Sequence, residues 1–119
     1  MGPAQRRARG VPAPSRGGCV VLYGMQLPVQ SQSAIYTEPW EAEAGAEDLV
    51  AVARAADLHG FDYIACCEHV AIPRRLAAAM STVWYDPVAT LSFLAAATQR
   101  VRLLSHVAVV GLRHPLGGR

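Results

Sequence analysis

Three short apolar segments, separated by two segments of helical periodicity, constrain the fold of this chain more than any other feature. The apolar segments are residues 19–27, 61–67 and 101–110, and each is rich in valine, isoleucine, leucine or tyrosine. Such segments predict β-strands. Since each predicted strand is mostly apolar on both faces, we expect a parallel sheet covered by helices, either doubly wound or a β/α barrel.

The first helix is predicted over residues 47–59. Its apolar residues fall at helical spacing and form one stripe, which comprises Leu49, Val52, Ala53 and Ala56. Gly60 follows the last turn, where glycine commonly ends a helix.

The second helix is predicted to begin at Asp86 and Pro87. An aspartate N-cap accepts a backbone hydrogen bond, and a proline in the first turn has no N–H to leave unpaired. The predicted stripe of this helix comprises Val88, Leu91, Ser92, Ala95 and Thr98. The resulting order of elements is β-α-β-α-β.

The loops that connect these elements differ in length. The strand-to-helix loops, residues 28–46 and 68–86, approach twenty residues, whereas the helix-to-strand loops are about two residues long. This asymmetry is typical of β/α barrels, in which long loops at the carboxyl ends of the strands carry the active site. Trp40, Trp84 and Tyr85 lie in the long loops, where they either line a pocket for a planar ligand or pack the loops onto the barrel.

Polar residues stand where the three predicted strands end. Gln26 ends the first, Glu68 and His69 follow the second, and Ser105 and His106 interrupt the third. Because the carboxyl ends of parallel strands meet at one edge of a sheet, these residues are candidates for a shared site. The alternative is that His69 caps a strand and that His106 is a half-buried histidine with satisfied hydrogen bonds.

The run from Cys66 to His69 contains four metal-capable residues, but a metal site is not favoured there. Adjacent residues on a strand point to opposite faces, and neither C-x-x-C nor H-E-x-x-H spacing occurs. G-x-S-x-G, P-loop and G-x-G-x-x-G motifs are also lacking. The three cysteines, two of them adjacent, give no disulfide framework and favour a reducing cytoplasm.

Charge is unevenly distributed along the 119 residues, whose formal net charge is +2. Four of the eleven arginines lie in residues 1–18 without any acidic residue, and this proline- and glycine-rich segment is predicted to be a disordered extension. The remaining chain is mildly acidic, which argues against nucleic acid as a partner. Because no apolar run approaches about 18 residues, no membrane-spanning helix is expected and no membrane partner is predicted.

Four stretches together resemble the luciferase-like monooxygenase superfamily, and within it the branch of oxidoreductases that depend on the deazaflavin coenzyme F420. They are YGMQLPVQ at 23–30, LVAVARAADLHGFDYIACCEHV at 49–70, YDPVATLSFLAAATQRVRL at 85–103 and SHVAVVGLRHP at 105–115. The combined pattern is a helix, GFD, a strand and an acid-His pair, followed by DP, a helix, R-V-x-L, a strand and RHP.

The resemblance implies a β/α barrel that binds a flavin-like cofactor at the carboxyl ends of its strands. It implies that Glu68 and His69 lie beside the cofactor ring as the catalytic pair. It also implies a bulge with a non-prolyl cis peptide bond around Ser105, His106 and Val107, which would contact the cofactor together with Gln26. The implied reaction is hydride transfer between the deazaflavin and a small organic substrate, in which the protein orients the ring and excludes water.

A complete β/α barrel has eight strands and roughly 250 residues. Because only three strands are predicted, we expect residues 19–119 to correspond to the amino-terminal third of such a barrel, as a truncated form with open sheet edges. Two alternatives stay open: an FMN-dependent enzyme of the same fold, and a non-enzymatic module that associates through its sheet edges. A homodimer is a possible assembly.

Overall fold

The computed structural model describes residues 21–31 and 33–113. Its core is a parallel sheet of three strands in the order β1-β2-β3, with β1 at Gly24–Gln26, β2 at Tyr63–Cys66 and β3 at Arg102–Ser105. Helix α1, Ala46–Leu58, connects β1 to β2, and helix α3, Pro87–Ala95, lies between β2 and β3. The predicted β-α-β-α-β order is therefore confirmed, and the arrangement is compatible with part of a β/α barrel.

The two faces of the sheet have different neighbours. One face packs on α1 and α3, and the apolar residues of this interface include Leu27, Ile64, Cys66, Val101, Leu49, Ala53, Ala56 and Leu94. The opposite face, which we call the open face, carries Gly24, Gln26, Tyr63, Ala65, Leu104 and His106 around a cavity of about 140 Å³. Alternation along the strands thus places one set of side chains in the core and the other around a cavity.

The strands are shorter than the sequence predicts. Residues 21–23 precede β1, and their apolar side chains are exposed. After β3 the chain passes through a cis peptide bond between His106 and Val107 to a 3-10 turn at Val110–Leu112. An apolar run indicates burial or β propensity, but a strand also needs a hydrogen-bonding neighbour, and sequence periodicity carries no information about that neighbour. The predicted disordered extension and the predicted strand residues 19–20 lie outside the described residues.

Helix α1 buries the predicted stripe, whereas α3 buries a different face from the predicted one. Leu49, Ala53 and Ala56 are buried in α1, and Val52 of the same stripe is half-buried. In α3 the buried residues are Pro87, Thr90 and Leu94, while Val88, Ser92 and Ala95 of the predicted stripe are exposed. Because α3 is apolar on most of its circumference, hydrophobic periodicity does not distinguish its core face.

The long loops contain short helical segments. The first loop, residues 27–45, includes a 3-10 helix at Pro39–Ala42. The second loop, residues 67–86, includes a 3-10 turn at Arg74–Leu76 and the one-turn helix α2 at Ala77–Met80. The helix-to-strand connections run over 59–62 and 96–101 and are longer than the two residues predicted. None of the helices within the described residues has the length and apolarity needed to cross a bilayer.

Asp57, near the end of α1, holds the connection to β3. Its carboxylate accepts hydrogen bonds from the N–H groups of Arg100 and Val101, both at 2.7 Å, and of Gln99 at 3.2 Å. Burial of Asp57 opposes ionisation, but the bonds from Val101, Arg100 and Gln99 outweigh it and hold the pKa of this carboxyl below its ordinary value of 3.8. Charged Asp57 therefore joins helix and strand.

We expect Asp57→Asn to lower the free energy of unfolding at pH 7 by about 1–3 kcal/mol, because the Gln99 N–H loses its acceptor and the N–H groups of Arg100 and Val101 keep only an uncharged one. The pKa of Asp57 is lower in the folded chain than in the unfolded chain. Its contribution to the free energy of unfolding is therefore complete above the pKa of the unfolded chain and is lost as the pH falls through the pKa of the folded chain. The difference between wild type and variant in urea melts should therefore shrink towards pH 3. Glu43→Gln, at an exposed carboxylate, is the control; a difference independent of pH would contradict the explanation.

Because Gly24 has no side chain, the ring of Tyr63 on the neighbouring strand can lie directly over its Cα. The two residues are paired in the register of β1 and β2, and a Cβ at Gly24 would overlap the Tyr63 ring. We expect Gly24→Ala to destabilise the fold by about 1–3 kcal/mol through overpacking. Gly111→Ala, where an added Cβ meets no atom within 4 Å, is the matched control in a urea melt. Equal midpoints for the two variants would show that the ring moves freely.

Candidate functional site

The two long loops meet at the carboxyl edge of the sheet. Ser31 of the first loop and Trp84 of the second form an antiparallel bridge. The N–H of Tyr85 donates to the carbonyl of Gln30 at 2.8 Å. Backbone hydrogen bonds thus join the loops that follow β1 and β2, so side chains from both loops belong to one region.

Gln26, predicted as a cofactor contact, lies beside Cys67 at the end of β2. Its Nε2 donates to the Cys67 sulfur at 3.3 Å, and Nε2 of Gln30 donates to the same sulfur at 2.9 Å. Gln30 is only 1% exposed. Neither Gln30 nor Cys67 was predicted as a site residue, although a glutamine that follows a mostly apolar strand is a weak signal of such a role.

Glu68, predicted as a catalytic residue, is a buried carboxylate with both oxygens engaged. One oxygen accepts the N–H of Val109 and the other accepts Nη2 of Arg113. The side chain is 5% exposed. A carboxylate in such a place needs partners, since burial of an unpaired charge is costly. Glu68 therefore joins the end of β2 to the segment that follows β3; its catalytic role stays a prediction.

Arg113, which enters the sequence analysis only as part of the RHP stretch, bridges two carboxylates. Its Nη2 also donates to Oδ2 of Asp86 at 2.9 Å. Asp86 accepts the N–H of Ala89 as the predicted N-cap of α3, and that bond, with help from Arg113, holds the pKa of Asp86 below its ordinary value. The carboxylates, Asp86 first, raise the pKa of Arg113. The arginine thus unites the ends of three elements that are far apart in sequence.

His69, the other predicted catalytic residue, is exposed and lies against Trp84. The two ring centroids are 4.2 Å apart, with an angle of 76° between the planes. Within residues 21–31 and 33–113 the imidazole makes no hydrogen bond. Trp84 was predicted either to line a pocket for a planar ligand or to pack its loop onto the barrel, and its contact with His69 is compatible with both.

The predicted cofactor contacts Ser105, His106 and Val107 are exposed at the end of β3. His106 lines the cavity of the open face, and its N–H donates to the Cys66 carbonyl at 2.8 Å. The cis peptide bond joins His106 and Val107, at the position that the resemblance implies. Gln26 and His106 thus line one cavity, whereas Ser105 is paired with Cys66 in the register of the sheet.

A second cavity, of about 340 Å³, lies within the first loop and is lined partly by Gln26 and Gln30. Glu41, at its wall, is 6% exposed and accepts the N–H of Val29 at 2.6 Å. Val29 has a φ of 68°, which is strained for a β-branched residue. The bond from Val29 to Glu41 stabilises this backbone shape and so maintains the loop that forms the cavity.

The two adjacent thiols have different surroundings, which predicts different reactivity. Cys66 is fully buried, and this burial, with Cys67 as the next cause, raises the pKa of its thiol to about 11. Cys67 is half-buried. Because the thiolate is the reactive form, iodoacetamide at pH 8 should modify Cys67 faster than Cys66 in the folded chain, as followed by peptide mass spectrometry. In urea the two rates should converge; equal rates in the folded chain would contradict the structure.

Comparison with known proteins assigns the family. The model of the family described as luciferase-like monooxygenase matches residues 22–117. No curated protein and no solved structure shows a significant match. The matched region contains the three strands and every residue of the candidate site. The polar groups gathered at the carboxyl edge of a parallel sheet therefore lie in a chain that belongs to the luciferase-like monooxygenase family.

Proposed function

We propose that this chain functions as an F420-dependent oxidoreductase of the luciferase-like type, in which hydride passes between a deazaflavin and a small organic substrate. The observation that carries the proposal is that Gln26 and His106 line one cavity at the carboxyl edge of the sheet, within the region that matches the family, while His69 follows β2 at the same edge. Members of the family are oxidoreductases. The deazaflavin, the substrate class and the cytoplasmic location are our own proposals.

The lining of the open face supports the proposal of a planar ring as ligand. Ala65 is small, and Leu104 is 43% exposed, so the open face offers a flat apolar surface, which we call the apolar floor. Gln26 and His106 supply hydrogen-bonding groups at the edge of this floor. The deazaflavin, when bound, supplies the carbon that accepts or releases hydride; the side chains named here would hold and orient its ring.

His69 is the proposed catalytic residue. Its imidazole is exposed at the carboxyl edge, and the Trp84 ring restricts its orientation by edge contact. Histidine can hold a proton or donate a hydrogen bond near neutral pH, which suits a group that stabilises charge on a substrate. We propose that Glu68, whose two oxygens accept hydrogen bonds from the Val109 N–H and from Arg113, contributes by holding the segment after β3 at the end of β2.

Two other functions have supporting observations. An FMN-dependent enzyme would use the same open face, since the apolar floor suits either ring. A non-enzymatic module is favoured by exposed apolar side chains after β3, where Val107 is 60% and Val110 74% exposed. Such a surface supports association between chains, including a homodimer.

A urea melt followed by circular dichroism tests the proposal. We expect saturating F420 to raise the unfolding midpoint, because a ligand of the folded state stabilises it by about 2.7 kcal/mol at a hundred times Kd. His69→Ala should weaken F420 binding by about fivefold, since one good hydrogen bond is worth about 1 kcal/mol. His59→Ala, at the exposed end of α1, is the matched control and should bind as wild type.

Each outcome of this experiment selects one function. A shift with FMN alone would favour the FMN-dependent enzyme. No shift with either coenzyme, together with a midpoint that rises with protein concentration, would favour the non-enzymatic module. Equal loss of affinity in both histidine variants would remove His69 from the site.

A further inference from the structure

Arg113 lies directly after the segment that follows β3 and contacts carboxylates of two other elements. We call residues 106–112 the β3 extension; it includes His106, Val107 and the 3-10 turn at Val110–Leu112. Glu68 binds this extension in its middle, through the Val109 N–H, and binds Arg113 directly after it. Arg113 in turn contacts Asp86, the N-cap of α3. The extension is therefore connected to β2 and α3 by a single group of charges.

We propose that Arg113 positions the β3 extension on the candidate site by bridging Glu68 and Asp86. The inference rests on the proposed function, because it assigns Arg113 a role in placing the cofactor contacts His106 and Val107. Arg113 itself acts through the backbone of the extension. It is consequently a positioning residue and not a catalytic one.

The burial of Glu68 makes this bridge strong. Its side chain is 5% exposed, and within the described residues its partners are the Val109 N–H and the Arg113 guanidinium. Removal of the guanidinium would leave a buried negative charge with one neutral partner, which is the costly way to break a buried ion pair. Glu68 would then turn towards solvent, which would weaken its hydrogen bond with the Val109 N–H.

The position of the bridge explains its proposed effect on the site. His106 lies at the cavity of the open face and its N–H is bonded to β2, so the strand holds the extension at its near end only. Residues 107–112 are mostly exposed and have little apolar packing to hold them. The ion pairs at Glu68 and Arg113 therefore supply the restraint at the far end of the extension.

An equivalent ion pair at the opposite edge of the sheet provides a control. Arg102, at the start of β3, pairs with Asp62 just before β2, and its side chain is 54% exposed. This pair lies at the amino ends of the strands, away from the candidate site. Arg102→Met therefore removes an arginine and an ion pair without touching the β3 extension.

The test combines amide hydrogen exchange by NMR with F420 titration on four proteins: wild type, Arg113→Met, Arg113→Lys and Arg102→Met. Arg113→Met should accelerate exchange at the Val109 amide and weaken F420 binding, each by about tenfold or more, because the buried Glu68 charge loses its partner. Arg113→Lys should recover much of both, since a single nitrogen makes both contacts in the wild type. Arg102→Met should resemble wild type in both measurements.

The outcomes separate this proposal from the proposed function. Unchanged exchange at Val109 in Arg113→Met would overturn it, and so would faster exchange with unchanged F420 affinity. Failure of the wild type to bind F420 would remove the proposed function, and the exchange data would still decide whether Arg113 holds the extension. If Arg113→Met does not fold, Glu68→Gln takes its place, with faster Val109 exchange expected and wild-type exchange overturning the proposal.

Discussion

The parallel pairing of three strands is the constraint on which the remaining structure depends. Parallel strands bring all their carboxyl ends to one edge, so the residues that follow β1, β2 and β3 meet although they are about forty residues apart. The same pairing requires a crossover for each connection, and α1 and α3 fill that role while covering one face. The open face and the carboxyl edge then remain for a ligand.

Charge pairing organises the carboxyl edge in a way that apolar packing does not. Glu68, Asp86 and Arg113 belong to three different elements, and one guanidinium nitrogen contacts both carboxylates. Asp57 performs a comparable task at the opposite edge, with three backbone N–H groups as partners. Exposed ion pairs contribute little to stability, whereas the burial of Glu68 makes its partners necessary. Ionised groups thus determine how the loops are attached to a small apolar core.

Sequence reasoning succeeded where one local pattern dictates the outcome. The Asp86-Pro87 step predicted the start of α3 because cap and proline act within one turn. The stripe of α1 predicted its buried face because Leu49, Ala53 and Ala56 recur at helical spacing, whereas the charged residues Glu47, Asp48 and Arg54 are all exposed. The same approach failed for α3, whose apolar residues surround most of the helix, and Thr90 is buried there instead of Ser92.

The amino-acid sequence by itself determined the order of strands and helices, the family to which the chain belongs, and the polar residues that follow the strands. These are properties of local spacing and composition. Only the tertiary structure decided that Gln30 is buried against Cys67 and that Arg113 reaches both Glu68 and Asp86. Those contacts join residues 27 to 45 positions apart. Their formation depends on strand register and loop conformation, which the three-dimensional packing of the chain sets and which no single segment encodes.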